Sequence, residues 1–257
     1  MISRETISRL VKDVKEMMVN PLSDHGIYYK HDEEDMLKGY ALIIGPEDTP
    51  YYGGNYLFAF SFPANYPFAP PTVTYCTNNG VVRFNPNLYT TGKVCISVLN
   101  TWRGEQWTSC QTISTILLSL STLFCKSPLL NEPGCRPGHV DEKKYAQIVE
   151  YANIEVAVCD IVNKHAQRYN HVFDIFDEPV GQKFATNYDK MLSLVETRLL
   201  EEGGGESFTL STIMYNMQIR INYASLKEKL VLTKMMFSSF EQVLLEKEKE
   251  KEKIESV

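Results

Sequence analysis

The stretch "GPEDTPYYGGNYLFAFSFPANYPFAPPTV", residues 45 to 73, alternates through its middle with a period of two. Tyr56, Phe58, Phe60 and Phe62 fall on one side of the chain and Asn55, Leu57, Ala59 and Ser61 on the other, which is the pattern of a β-strand. Pro and Gly crowd both flanks, where the chain has to reverse. Outward from this strand lie two more candidates, "GYALIIG" (39 to 45) and "PTVTYCT" (71 to 77). Short consecutive strands with short connections predict an antiparallel meander.

Helical periodicity surrounds the meander. Ile7, Leu10, Val11, Val14, Met17 and Met18 predict an amphipathic helix ending near Asn20-Pro21, with Arg4, Arg9, Lys12 and Lys15 on its polar side. That basic face is either solvated surface or a docking face for an acidic partner. Thr108 and Gln111 form a capping-box signature before "ISTILLSLSTLF", where Ile113, Ile116, Leu117, Leu120 and Phe124 mark one face of a central helix that Ser127-Pro128 ends. Tyr145, Ile148, Val149 and Ala152 open a further helix reaching about Lys164.

"QRYNHVFDIFDEPVG" reads as a loop, followed by a helix over about 182 to 202 that Gly203-Gly204-Gly205 breaks. Residues 208 to 245 are again rich in Leu, Met and Phe, and "EKEKEKEK" reads as a solvated helix extension or a frayed tail. The expected class is α+β, with a core domain over 1–165 and a helical C-terminal extension with a charged tail over 166–257.

A net charge of −6 and a pI near 5.5 give no general attraction to nucleic acid or to an anionic membrane. No window approaches about eighteen uninterrupted apolar residues, and "MISRETISRLVKDVKEMM" lacks a signal-peptide core, so an intracellular soluble protein is expected. The six cysteines include no CxxC pair and read as free thiols. A zinc set of Cys125, Cys135, Cys159 and His165 lacks paired ligand spacing, so neither a metal nor a cofactor is expected.

Cys95, in "NPNLYTTGKVCISVLNTW" (85 to 102), can be read as a core thiol, since free cysteine is among the most buried residue types. The Asn-Pro-Asn and Thr-Thr-Gly turns before it favour a presented nucleophile instead. From about 39 to 134 the order of features resembles the ubiquitin-conjugating enzyme family. Residues 45 to 73 are similar to its Gly-Pro turn, Tyr-x-Gly-Gly and Tyr-Pro-Phe-x-x-Pro-Pro segments. "NPNLYTTGKVCISVL" resembles the active-site stretch, with Asn87 eight residues before Cys95, and "WTSCQTIS" resembles the start of the following helix. "LLNEPG", "IEVAVCD" and a helical tail look like the large class exemplified by the Use1 conjugating enzyme. Against the common pattern, Asn85 replaces a turn-shaping His, and Trp102 to Gln106 lengthen the loop before Trp107.

The resemblance implies that Cys95 takes ubiquitin or a ubiquitin-like modifier from an activating enzyme as a thioester, then passes it to a substrate lysine, usually with a ligase. It implies that Asn87 offers its amide to the oxyanion or to the loop, and that Tyr89 walls the incoming lysine unless it is plain packing. Glu132 is the candidate acidic residue near that lysine, with a structural loop carboxylate as its alternative. Lys12 and Lys15 would face the activating enzyme, and Phe68 with Ser109 and Cys110 the ligases; Ser109-Cys110-Gln111 departs from the usual Ser-Pro-Ala. Trp102 is either core or a partner contact. The cytoplasm is the expected compartment, with the nucleus as a second.

Two rivals stand beside this reading. One is a catalytically inert binding module of the same fold. The other is a cysteine hydrolase pairing Cys95 with His139 or His165, although such a cysteine normally opens a helix.

Overall fold

Four antiparallel strands, β1 (Ile27–His31), β2 (Lys38–Ile44), β3 (Asn55–Ser61) and β4 (Thr72–Tyr75), lie side by side in chain order. Tyr40 faces Ala59, and Ala59 faces Thr74. The computed structural model describes residues 2–202 and 205–255, with side chains through Ser239. The expected meander is present. β1, "IYYKH", adds an edge strand that the sequence pattern did not mark, because five residues with a Lys and a His carry little alternation.

One sheet face carries Ala41, Ile43, Tyr56, Phe58, Phe60, Val73 and Tyr75, all buried in the main core. Onto it packs α2 (Ile113–Ser121) with Ile113, Ile116, Leu117 and Leu120, and α3 (Glu142–Ala152) with Tyr145, Ile148 and Val149. The cap of α2 is Thr112, whose hydroxyl accepts from Thr115 N while Thr115 returns the bond. Thr108 and Gln111 bond each other one turn earlier instead, with Thr108 N donating to Gln111 Oε1 at 3.1 Å.

The first helix, α1 (Arg4–Val19), is rotated from expectation. Thr6, Leu10, Asp13 and Met17 are buried, whereas Ile7, Val11 and Met18 are exposed. Leu10 and Met17 keep their expected burial, and the contact stripe is centred between them and Thr6 and Asp13, away from Ile7, Val11 and Met18. Asp13 draws the helix round: its carboxylate accepts from Arg9 Nε at 2.8 Å and from the Tyr66 hydroxyl at 2.5 Å. A buried carboxylate with two strong donors is satisfied, so this polar stripe can face inward. Arg9 accordingly turns inward, reaching the carbonyls of Ser109 and Gln111.

The second sheet face is covered too. Leu42, Ile44 and Leu57 pack against Ile161, Ala166, Phe173, Phe176 and Val180. The stretch 167–181, expected as a loop, holds a short 3₁₀ turn (His171–Phe176) and the first turn of α4 (Asp177–Glu201). Its Phe173, Phe176 and Val180 stand at i, i+3 and i+7, but a single repeat interleaved with Asp174, Asp177 and Pro179 is too short to read as a helix; together they seal the sheet. α3 runs on through a π-helical segment (Asn153–Asp160), which is tied to β3: the Tyr56 hydroxyl donates to Asn153 Oδ1 at 2.6 Å, and Asn55 Nδ2 to the Ala157 carbonyl at 3.0 Å.

Beyond α4 the extension adds a hairpin, β5 (Phe208–Ser211) with β6 (Gln218–Ile221), and α5 (Tyr223–Glu255). The hairpin interrupts the helical reading of this region. α4, α5 and the hairpin close a cluster of Phe184, Met191, Val195, Ile221, Tyr223, Leu226 and Leu230 over Tyr151, Ile154 and Val158. The expected break at Gly203-Gly204 lies outside the described residues, as do the side chains of the charged run at the end of α5.

Phe176→Ala should therefore lower stability by about 3–5 kcal/mol in urea unfolding, as expected for a fully buried Phe. A chain cut after residue 165 should bind a hydrophobic dye strongly and lose solubility, since Leu42 and Leu57 lose their cover. Burial pushes the Cys76 thiol up to about 11 and the Cys159 thiol up to about 12. In native protein both should resist iodoacetamide, whereas exposed Cys110 labels readily; equal labelling of Cys159 and Cys110 before unfolding would contradict the packing described.

Candidate active site

"NPN" folds as a turn because each Asn side chain bonds backbone nearby. Asn85 Oδ1 accepts from Asn87 N at 2.9 Å, and Leu88 N donates to the Asn85 carbonyl at 2.9 Å. Asn85 is fully buried, and its Nδ2 donates to the Tyr51 hydroxyl (3.1 Å) and to the Leu123 carbonyl (2.8 Å). Tyr51 in turn donates to the Phe84 carbonyl at 2.7 Å. Asn85 thus fixes the shape of the turn through an amide whose donors are both used. Tyr51 is a contributor that sequence alone places inside a motif without a role.

The returning strand brings Cys95 back beside Asn87. Cys95 N donates to the Asn87 carbonyl at 2.9 Å, and Asn87 Nδ2 donates to the Cys95 carbonyl at 2.5 Å. Between them, Tyr89 to Gly92 close a tight turn in which Gly92 has φ +91°. A side chain there would also press on Thr74 and on the Tyr75 carbonyl, so glycine is needed. Gly92's carbonyl accepts from Tyr75 N at 2.8 Å, which fastens the turn to β4. Cys95 itself follows two isolated bridge residues, Lys93 and Val94, in extended backbone, and is 2% exposed.

Beside Cys95, Asn87, Ile96, Ser97, Trp102, Leu118, Ser119 and Thr122 line an open groove of about 580 Å³. Trp102 is thereby a half-exposed groove wall, not core. Apolar walls with interspersed hydroxyls suit an extended polypeptide segment.

Tyr89 is already occupied: the Arg83 guanidinium stacks on its ring at 3.7 Å from the centroid. Glu132 accepts from the Tyr215 hydroxyl at 2.5 Å, so the extension reaches it directly. Neither Arg83 nor Tyr215 stands out in the sequence; both lack a local pattern, and Tyr215 lies more than a hundred residues downstream of Cys95. His139 Nδ1 accepts from Asp141 N at 3.2 Å within its own turn, and His165 is exposed; neither is bonded to Cys95. Among the described residues no three His, Cys, Asp or Glu side chains gather where a metal could be held, and no helix is long and apolar enough to cross a membrane.

Elsewhere, Lys12 and Lys15 are exposed on α1, and Phe68 is 64% exposed. The Trp107 indole donates to the Pro67 carbonyl at 2.6 Å, and this bond sets Phe68's loop beside the segment holding exposed Ser109 and Cys110.

Comparison with known proteins agrees with this geometry. Residues 9–152, more than half of the chain, match the family described as ubiquitin-conjugating enzyme. The chain is 36% identical over 206 residues to ubiquitin-conjugating enzyme E2 Z of Danio rerio, covering 78% of this chain and 60% of that protein. It is 42% identical over 163 residues to the Homo sapiens protein of the same name, covering 62% of this chain and 45% of the relative. A probable ubiquitin-conjugating enzyme of Caenorhabditis elegans is 36% identical over 186 residues, covering 66% of this chain and 25% of the relative. The chain thus spans roughly half of the E2 Z relatives' length. On the matched residues and the meander, turn and cysteine arrangement together, this chain belongs to the ubiquitin-conjugating enzyme family.

Proposed function

We propose that the chain accepts ubiquitin or a ubiquitin-like modifier from an activating enzyme as a thioester on Cys95 and transfers it to a lysine of a substrate protein. The observation that carries this reading is the paired backbone and side-chain bonding to Cys95 of Asn87, which itself lines an open groove. In the first step the Cys95 thiolate attacks the incoming thioester carbon; a new C–S bond forms and the donor's C–S bond breaks, releasing the donor thiolate. In the second, an unprotonated lysine amine attacks the same carbon, the C–N bond forms, the amine gives up a proton, and the Cys95 thiolate leaves. The groove of Ile96, Ser97, Trp102 and Leu118 holds the modifier's C-terminal tail.

An Asn amide nitrogen carries two N–H groups. One holds the Cys95 carbonyl in place and the other is left for the oxyanion of the transfer step, so Asn87 serves both roles that the sequence allowed. Tyr89 and Glu132 border the acceptor lysine. Lys12 and Lys15 contact the activating enzyme, and Phe68 and Ser109 a ligase. Residues 1–165 form the conjugating unit and 166–257 its extension, acting in the cytoplasm and, as a second compartment, the nucleus.

The low exposure of Cys95 favours one other reading, an inert module of the same fold. A charging assay decides between them. Purified chain with activating enzyme, ATP and ubiquitin should give a band heavier by one modifier that thiol reductant removes; Cys95→Ala should give none, and Cys95→Lys a band that resists reductant. Absence of a reductant-sensitive band with ubiquitin and with other modifiers would sustain the inert module. Asn87→Ala should slow discharge to free lysine by about 10²-fold while charging changes far less; a loss confined to charging would show that the amide only shapes the loop.

A further inference from the structure

The tip of the β5–β6 hairpin is docked on the segment just before the Asn-Pro-Asn turn and on the segments that carry Glu132 and Asp141. Met214 N donates to the buried Asp141 carboxylate at 2.8 Å, and Arg83 N donates to Met217 Sδ at 3.4 Å. Between these anchors Tyr215 and Asn216 have φ +63° and +49°. A left-handed tyrosine is strained and persists only where its surroundings hold it. The conformation lays the Tyr215 ring 4.2 Å from the Arg83 guanidinium, which also stacks on the Tyr89 ring at 3.7 Å. Arg83 Nη2 donates to the Pro86 carbonyl at 2.5 Å, inside the Asn-Pro-Asn turn. The Tyr215 hydroxyl meanwhile donates to Glu132, leaving that carboxylate further acceptor sites. One side chain of the extension therefore touches both Glu132 and the Arg83 that stacks on Tyr89, and Arg83 also grips the active-site turn. Glu132's loop joins the same turn from behind, since Asn131 and Asn85 both donate to the Leu123 carbonyl.

We infer that Tyr215 is a positioning residue for transfer to the acceptor amine: it sets Tyr89, through Arg83, and Glu132 at a fixed separation, so that the extension completes the acceptor side of the site. This rests on the conjugating reading above. A lysine needs its stem packed and its ammonium partnered before it loses a proton, so an error in this spacing weakens lysine attack. Hydroxylamine, already neutral at pH 7 and without a stem, needs neither group.

The test loads the full chain with ubiquitin, stops the activating enzyme, and follows discharge to free lysine and to hydroxylamine at pH 7. Tyr215→Ala should slow lysine discharge about tenfold, with hydroxylamine discharge changed by less than about twofold. Tyr215→Phe, which keeps the ring on Arg83 and loses only the hydroxyl to Glu132, should recover part of the lysine rate and guards against a folding failure of the first variant. Lysine discharge at the wild-type rate in both variants overturns the inference. So does a parallel fall for both nucleophiles, which marks general distortion around Cys95. A wild-type chain that takes no modifier overturns the conjugating reading and this inference together, whereas with a wild type that charges, a failure of the variants to slow lysine discharge overturns the role of Tyr215 alone.

Discussion

The arrangement around Cys95 depends on one buried amide. Asn85 sits where the loop after β4, the segment before β3 and the end of α2 meet, and its side chain bonds to each: Asn87 N, the Tyr51 hydroxyl and the Leu123 carbonyl. In a dry interior each such partner left alone costs about 1–3 kcal/mol, so the turn has one low-energy geometry. That geometry points Asn87 at the Cys95 carbonyl. The turn, the cysteine loop and the helix that floors the groove are consequently held to one another, not merely adjacent.

The extension is integral to this frame. A two-faced sheet cannot leave Leu42 and Leu57 in water without loss, and Phe173, Phe176 and Val180 cover them. The cover continues through α4 and α5, and the hairpin between them reaches Arg83, Glu132 and Asp141. Polar links reinforce it: Glu150 pairs with Arg198, Asn163 Nδ2 donates to the Thr233 hydroxyl, and Asp141 holds the hairpin backbone. The exposed ion pairs contribute little individually, and the apolar clusters carry the attachment.

The parts of the site that are legible in sequence are those whose signal is local. Alternation marks β3, a helical period marks α2, and the Asn-Pro-Asn to Cys95 spacing marks the cysteine loop. The departures share a cause. The buried stripe of α1 is displaced because Asp13 finds Arg9 and Tyr66 only in the folded chain, and a polar residue reads as solvent-facing until its partners are known. Thr108 mimics a helix cap because Thr108 and Gln111 do bond each other, one turn too early. The stretch 167–181 reads as a loop because Phe173, Phe176 and Val180, although spaced i, i+3 and i+7, are split between a short 3₁₀ turn and the start of α4 and interleaved with polar residues and Pro179.

By itself the sequence determined the class of fold, the central strand and helix, and which cysteine stands behind an Asn-containing turn. These follow from backbone sterics and periodicity within a few residues. Tertiary structure alone decided that Arg83 lies between Tyr89 and Tyr215, that Glu132 is held by the extension, and that both faces of the sheet are dry. Those facts depend on long-range closure, in which residues far apart in the chain meet because hydrophobic burial offsets the entropy of bringing them together. No local pattern encodes such a meeting.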